Sequence, residues 1–119
     1  MSQALITNDV LGLSRTVLVS MVRNDHPDLS MRQLALLLSV YTTTPPHTVR
    51  GLARSLNISK PAITRALDRL GSFDLVRRKR DSADRRNVLI QRTVKGSVYL
   101  SEFTDLFADA ADSEARDAA

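Results

Sequence analysis

Asp81-Ser82-Ala83-Asp84-Arg85-Arg86 lies between two short runs that read as strands, residues 75–79 and 87–91. Val88 and Ile90 alternate in the second run, the period of a strand with one buried face. Two such runs joined by a short polar segment read as a hairpin. Four consecutive cations, Arg77-Arg78-Lys79-Arg80, lead into the tip, and Arg85-Arg86 leave it. Taken alone, a basic hairpin is a solvated loop whose charges keep the chain soluble. What stands in front of it changes the reading.

Residues 49–70 read as two short helices joined by a tight connection. Thr48 is a good N-cap, because its hydroxyl can accept from a first-turn N–H that has no helical partner. Val49, Leu52, Ala53 and Leu56 follow at helical spacing, and Asn57 suits a left-handed residue beyond the helix end. Ser59 caps the next helix, with Pro61 in its first turn, where a missing N–H is tolerated. Ile63, Ala66, Leu67 and Leu70 form its apolar stripe, while Ser59, Lys60, Ala62, Thr64, Arg65, Asp68 and Arg69 lie off it. Two helices followed by a basic hairpin make the layout of a winged helix-turn-helix. In that layout the second helix enters the DNA major groove and the hairpin reaches the neighbouring minor groove. Small and polar residues near the helix start, with Arg65 two turns in, suit contact with base edges. The fold class predicted is mainly α with a small β-hairpin: about five helices plus a wing sheet of two or three strands.

Upstream, a first helix is predicted over residues 8–23 with Thr7 or Asn8 as N-cap. Its apolar residues cover about half the helical wheel, wider than the stripe of roughly 100° that one packed face needs. The excess points to a second buried contact, most simply a twin subunit. His26-Pro27 breaks this helix. Ser30 and Gln33 form a Ser-x-x-Gln capping box for a second helix, whose Leu34, Leu37, Leu38 and Tyr41 are predicted to face the core. Thr42-Thr43-Thr44-Pro45-Pro46 then forbids helix and reads as a rigid turn or a short edge pairing. After the hairpin, Thr93 caps a fifth helix with Tyr99, Phe103, Leu106, Phe107 and Ala110 on one face. Residues 109–119 are expected to fray. The chain thus reads as one domain, residues 1–119. A DNA-binding lobe spans 29–92, and candidate dimerisation helices span 8–24 and 93–112. Val10, Leu13, Val17, Leu18, Met21, Phe103 and Phe107 are the candidate dimer interface.

The 119 residues suffice for a single core. Net charge is +4, but its distribution says more. Residues 1–49 balance, residues 50–99 hold thirteen basic and four acidic side chains, and residues 100–119 hold one basic and six acidic. The local +9 over the helix pair and hairpin is the footprint of a polyanion partner. The acidic end reads as a solubilising segment. No apolar run approaches the roughly 20 residues that span a bilayer, and the first residues lack the pattern of a signal peptide. Zero cysteines exclude a disulfide scaffold and thiol redox chemistry. A cytoplasmic, nucleoid-associated protein is the simplest fit.

No catalytic constellation appears. His26 and His47 both adjoin prolines, and Asp25-His26-Pro27-Asp28 reads as a solvated loop, with a metal site the much weaker alternative. The four glycines are isolated and form no phosphate-cradling loop, so no cofactor is implied.

Three segments resemble the MarR family of bacterial transcription regulators. One is the helix pair, Leu52-Ala53-Arg54-Ser55-Leu56-Asn57-Ile58-Ser59-Lys60-Pro61-Ala62-Ile63-Thr64-Arg65-Ala66-Leu67-Asp68-Arg69-Leu70. The second, more specific, is the wing from Asp81 to Arg86 with Asn87-Val88-Leu89-Ile90. The third is Thr93-Val94-Lys95-Gly96, similar to the start of the family's fifth helix. The resemblance covers residues 29–100. It implies a homodimer built from the terminal helices and an arginine placed by each wing in the minor groove, and it leaves open whether a small-molecule effector exists. By position that arginine is Arg86, with Asp84 its orienter or a plain turn residue. Residues implied to meet DNA are Ser59, Lys60, Pro61, Thr64, Arg65 and Arg69 on the helix, and Arg77, Arg78, Lys79, Arg80, Asp84, Arg85 and Arg86 on the wing. Lys60 and Arg65 are expected on bases, and Arg77 and Arg78 on phosphates. The chain departs from the family pattern at Asp74, where glycine is usual, and at Arg92, where leucine is common. With 23 residues after Gly96, it also reads as short at the C-terminus.

Two functions stay open at this point. One is a sequence-specific regulator that binds double-stranded DNA. The other is a winged helix used as a protein-interaction module or adaptor. The +9 lobe and Arg86 favour the first, and the short final helix favours the second.

Overall fold

The computed structural model describes the backbone of residues 3–118 and the side chains of residues 9–113. Among these, the elements run α1 (Gln3–Arg23), α2 (Met31–Thr42), β1 (His47–Thr48), α3 (Val49–Leu56), α4 (Lys60–Ser72), β2 (Val76–Arg80), β3 (Val88–Arg92) and α5 (Val94–Ala118). Contacts divide the chain into two units. One is Leu29–Tyr99, and the other joins the segment before it to the segment after it.

Local chemistry starts each helix of the Leu29–Tyr99 unit. Ser30 and Gln33 form the reciprocal capping box, with bonds of 2.9 and 3.2 Å. Thr48 Oγ1 accepts from the Gly51 N–H at 2.9 Å, and Ser59 Oγ accepts from the Ala62 N–H at 3.2 Å. Asn57 takes the left-handed conformation, φ 54°, that turns the chain from α3 into α4. Asp74 does the same at φ 57° between α4 and β2, so the turn survives without glycine.

α4 packs against α2, α3 and β2. Leu36, Leu37, Ile63, Leu67, Leu70 and Leu75 are fully buried there, each contributing about 1.5–3 kcal/mol of apolar burial. The register of α2 differs from the prediction. Leu36, Leu37 and Val40 are buried, while Leu34, Leu38 and Tyr41 are half-buried. The reason is that α2 packs against α3, α4 and β3, so its covered arc is wider than a single stripe and centres on Leu37. Ala62 of α4 is buried as well, contrary to the prediction, because α4 is covered from three sides.

The sheet is antiparallel in the order β1-β3-β2. The residues after the double proline make the edge pairing, with His47 opposite Ile90. Both hairpin strands begin one residue later than predicted. Leu75 N–H closes the end of α4 by donating to the Leu70 carbonyl at 3.0 Å, so the ladder starts at Val76.

In the second unit, α1 begins at Gln3. Thr7 and Asn8 therefore lie inside the helix instead of capping it, consistent with the strong helix formers Ala4 and Leu5 ahead of them. α5 continues to Ala118, where fraying was expected; the alanine-rich, Glu- and Arg-containing end favours helix. Val17 is 0% exposed and so has no surface left for a twin, whereas Val10, Leu11, Leu18 and Val22 are exposed. Leu13, Met21, Phe103 and Phe107 are half-buried, and the two phenylalanine rings meet edge-on at 5.0 Å. No helix among the described residues is long and apolar enough to cross a membrane.

Candidate nucleic-acid interface

Burial of Ile63, Ala66, Leu67 and Leu70 orients α4 and decides which side chains it presents. Ser59, Lys60, Pro61, Thr64, Arg65, Asp68 and Arg69 are all exposed. Within the described residues, Lys60 and Arg65 make no ion pair or hydrogen bond through their side chains, so both cations are free to meet a ligand. Arg69 is placed differently, its guanidinium 4.7 Å from the centre of the Phe73 ring one turn on.

The strand period sorts the wing cations. Val76 is buried, so Arg78 and Arg80 share its face of β2, and Arg77 and Lys79 point the other way. On that face Arg78 reaches α4 and donates to Asp68 Oδ1 at 2.6 Å. Arg77 lies 3.8 Å from the Asp74 carboxylate, a loose pair with both partners well exposed. The sequence reading treated Arg77 and Arg78 alike; the alternation of β2 separates them.

The wing tip is held by its own carboxylates. Asp81 Oδ1 accepts from the Ala83 N–H at 2.9 Å, and Asp84 Oδ1 accepts from the Arg86 N–H at 3.1 Å. Backbone bonds join Asp81 to Asn87 and Asn87 to Asp84. Asp84 Oδ1 also takes a bond from Arg86 Nε at 3.4 Å, so the same carboxylate builds the turn and steers the arginine. Arg86 is 86% exposed, with its cation directed by a 41% exposed partner. Arg85 is exposed, and its carbonyl receives a long bond of 3.5 Å from Arg80.

The root of the wing rests on residues that motif reading did not single out for this. The Tyr41 hydroxyl donates to the Leu75 carbonyl at 2.7 Å and accepts from the Thr93 N–H at 2.8 Å. Thr93 Oγ1 donates to the Asp74 carbonyl at 2.7 Å and caps α5 by accepting from the Gly96 N–H at 2.9 Å. Arg92 donates to the carbonyls of Val40 at 2.9 Å and Thr43 at 3.1 Å and lies over the Tyr41 ring. A cation there satisfies carbonyls left open at the end of α2. Thr93 with Gly96 three residues on was a usable sequence signal; the partners of Arg92 and Tyr41 left none.

Among the described residues, no group of three or more histidine or carboxylate side chains could hold a metal ion. His26 Nδ1 is 3.7 Å from a Glu102 carboxylate oxygen.

Residues 29–88, half of the chain, match the family model of the MarR family. The chain belongs to the MarR family. It is a winged-helix transcription regulator. Solved structures share the fold along nearly the whole MarR-family chain. The transcriptional regulator Tm0710 from Thermotoga maritima aligns with TM-score 0.80 at 18% identity, over 98% of this chain and 80% of that one. S. aureus MepR, in a complex with DNA, aligns with TM-score 0.70 at 22% identity, over 97% and 89%. A MarR transcriptional regulator from Methanosarcina mazei Go1 aligns with TM-score 0.64 at 20% identity, over 92% and 79%. No curated protein matches the chain.

Proposed function

We propose that this protein regulates transcription in the cytoplasm by binding specific double-stranded DNA as a homodimer. The start of α4 lies in a major groove and the wing tip in the neighbouring minor groove. It acts by binding and not by catalysis. One observation carries the reading: an outward α4 face with Lys60 and Arg65 unpaired, beside a wing tip whose Arg86 is held by Asp84, both in the +9 segment. Unpaired cations on a helix suit base edges and phosphates, and an arginine suits the enhanced negative potential of a narrow A·T-rich minor groove. The test is selection of bound sequences from a random duplex pool, followed by mobility shifts across salt concentration. No enriched sequence and no retarded duplex at low salt would refute the reading.

Within that site Arg65 and Lys79 have different tasks. Arg65→Ala is expected to narrow the gap between selected and random duplex by about 1–3 kcal/mol, the worth of a base contact. Lys79→Ala is expected to weaken both equally, as loss of a phosphate contact does. Competition binding measures the two ratios, and equal narrowing by both variants would contradict the division.

Exposed apolar side chains of α1 support the homodimer. Leu18 is 52% exposed, beside Val10, Leu11 and Val22. Leu18→Glu is expected to give a folded monomer, and Val17→Glu an unfolded chain, since Val17 is fully buried. Sedimentation at micromolar concentration checks both. A wild type sedimenting only at the 13.2 kDa chain mass would refute dimerisation.

A further inference from the structure

Four carboxylates lie within the basic segment, residues 50–99: Asp68, Asp74, Asp81 and Asp84. Three of them build turns. Asp74 supplies the left-handed residue after α4, and Asp81 and Asp84 accept backbone N–H bonds at the wing tip. Asp68 has no such task. It sits in the body of α4, three residues past Arg65, on the face that carries the unpaired cations, and is 59% exposed. A free carboxylate there repels the polyanion that the surrounding cations attract. Its one partner among the described residues is Arg78, 40% exposed and bonded at 2.6 Å, the short distance of a charge-assisted bond.

We infer that Asp68 is a specificity-determining residue. By engaging Arg78 it withholds one wing cation from sequence-blind phosphate binding. The same bond ties β2 to the helix that reads bases, so it also holds the wing at a set distance from α4. The inference rests on the DNA-binding reading above. Phosphate contacts raise affinity for every sequence, and the discrimination of a regulator is the ratio between its site and all others. An extra free arginine raises numerator and denominator alike, so by itself it adds affinity without discrimination. Loosening the wing against α4 lowers the numerator, because both grooves must be reached at once.

The experiment measures binding of wild type, Asp68→Asn, Arg78→Gln and the double variant. The probes are random-sequence duplex and the sequence that wild type enriches from a random pool, each across salt. Asp68→Asn is expected to bind random duplex about fivefold more tightly near 0.1 M salt, with the log–log salt slope steeper by about one. The ratio of enriched to random affinity is expected to fall about fivefold. Arg78→Gln is expected not to steepen the slope on random duplex, because it frees no cation and leaves the Asp68 carboxylate uncompensated. The double variant is expected to return to the wild-type slope, because the released cation is gone. An unchanged ratio in Asp68→Asn overturns the inference. So does a double variant that keeps the steep slope, since the gain would then come from losing the carboxylate's repulsion and not from releasing Arg78. A role confined to stability would lower the melting temperature and weaken both duplexes without moving the slope. If wild type enriches no sequence, the DNA-binding reading falls and takes this inference with it. If wild type enriches a sequence and Asp68→Asn leaves the ratio unchanged, this inference alone falls.

Discussion

Arg86→Ala is expected to lower affinity for the selected sequence by roughly 10- to 100-fold when the flank is A·T-rich, while leaving the fold intact. The fold survives because the side chain is 86% exposed and its one described side-chain partner is Asp84. Affinity suffers because Arg86 is the cation that a carboxylate of the tip's own turn directs. Asp84 Oδ1 accepts from the Arg86 N–H at 3.1 Å and, more loosely, from its Nε at 3.4 Å, so the guanidinium leaves the wing already biased in direction. Flank composition separates two mechanisms. Insertion into a narrow minor groove predicts a loss concentrated on A·T-rich flanks, whereas a phosphate contact predicts equal loss on all flanks and a salt slope shallower by about one. Asp84→Ala is expected to show the same pattern at smaller size, since Arg86 keeps its charge but loses its guide. Titration of A·T- and G·C-flanked duplexes at several salt concentrations measures all of this. Undiminished binding by Arg86→Ala on the A·T flank would remove the wing from the site.

Gly96→Ala is expected to destabilise the protein by about 3–5 kcal/mol, where helix propensity alone predicts a gain of about 1 kcal/mol. Gly96 lies in the first turn of α5, and a methyl group on it would overlap the Tyr41 hydroxyl and the Leu75 carbonyl. The hydroxyl can move away only by giving up its bonds to Leu75 and Thr93. Overpacking costs about 1–3 kcal/mol, and each part-buried backbone group left unpaired adds about 1–3. Those terms exceed the propensity gain, so the steric effect wins. Against the 5–15 kcal/mol that holds a typical domain, the loss corresponds to a melting temperature lower by roughly 10–20 °C. Tyr41→Phe removes the nearer of the two colliding oxygens and leaves the Leu75 carbonyl, so Gly96→Ala is expected to cost less in that background than in wild type while still destabilising. Calorimetry of the four proteins gives the cycle. A wild-type-background cost below 1 kcal/mol, or strict additivity, would show that the approach of α5 to Tyr41 is looser than the geometry implies.

These two sites differ in how visible they were from sequence. Except for α1, helix starts were legible because capping is settled within three or four residues. Ser30 with Gln33, Thr48, Asn57 and Ser59 carry their structural roles in their own side chains and neighbours. The stripe of α4 and the alternation of β3 were legible for the same reason, and so was the basic wing tip with its Asp84-Arg85-Arg86 run. Sequence by itself thus determined the winged-helix layout, the segment that carries the charge and, Ala62 apart, the residues that face outward from α4. It did not determine who meets whom across elements. Arg78 and Asp68 are 10 residues apart, and Arg92 and Val40 are 52 apart. Whether such groups meet depends on how β2 lies on α4 and how the end of α2 meets β3, which no local pattern encodes. The same holds for adjacent residues on α1. Val17 and Leu18 are both apolar, and periodicity leaves the centre of a broad arc undetermined, yet one is sealed and the other half-open. Tertiary packing decided those questions, because burial and ion pairing are properties of the space between elements and not of the element that carries the side chain.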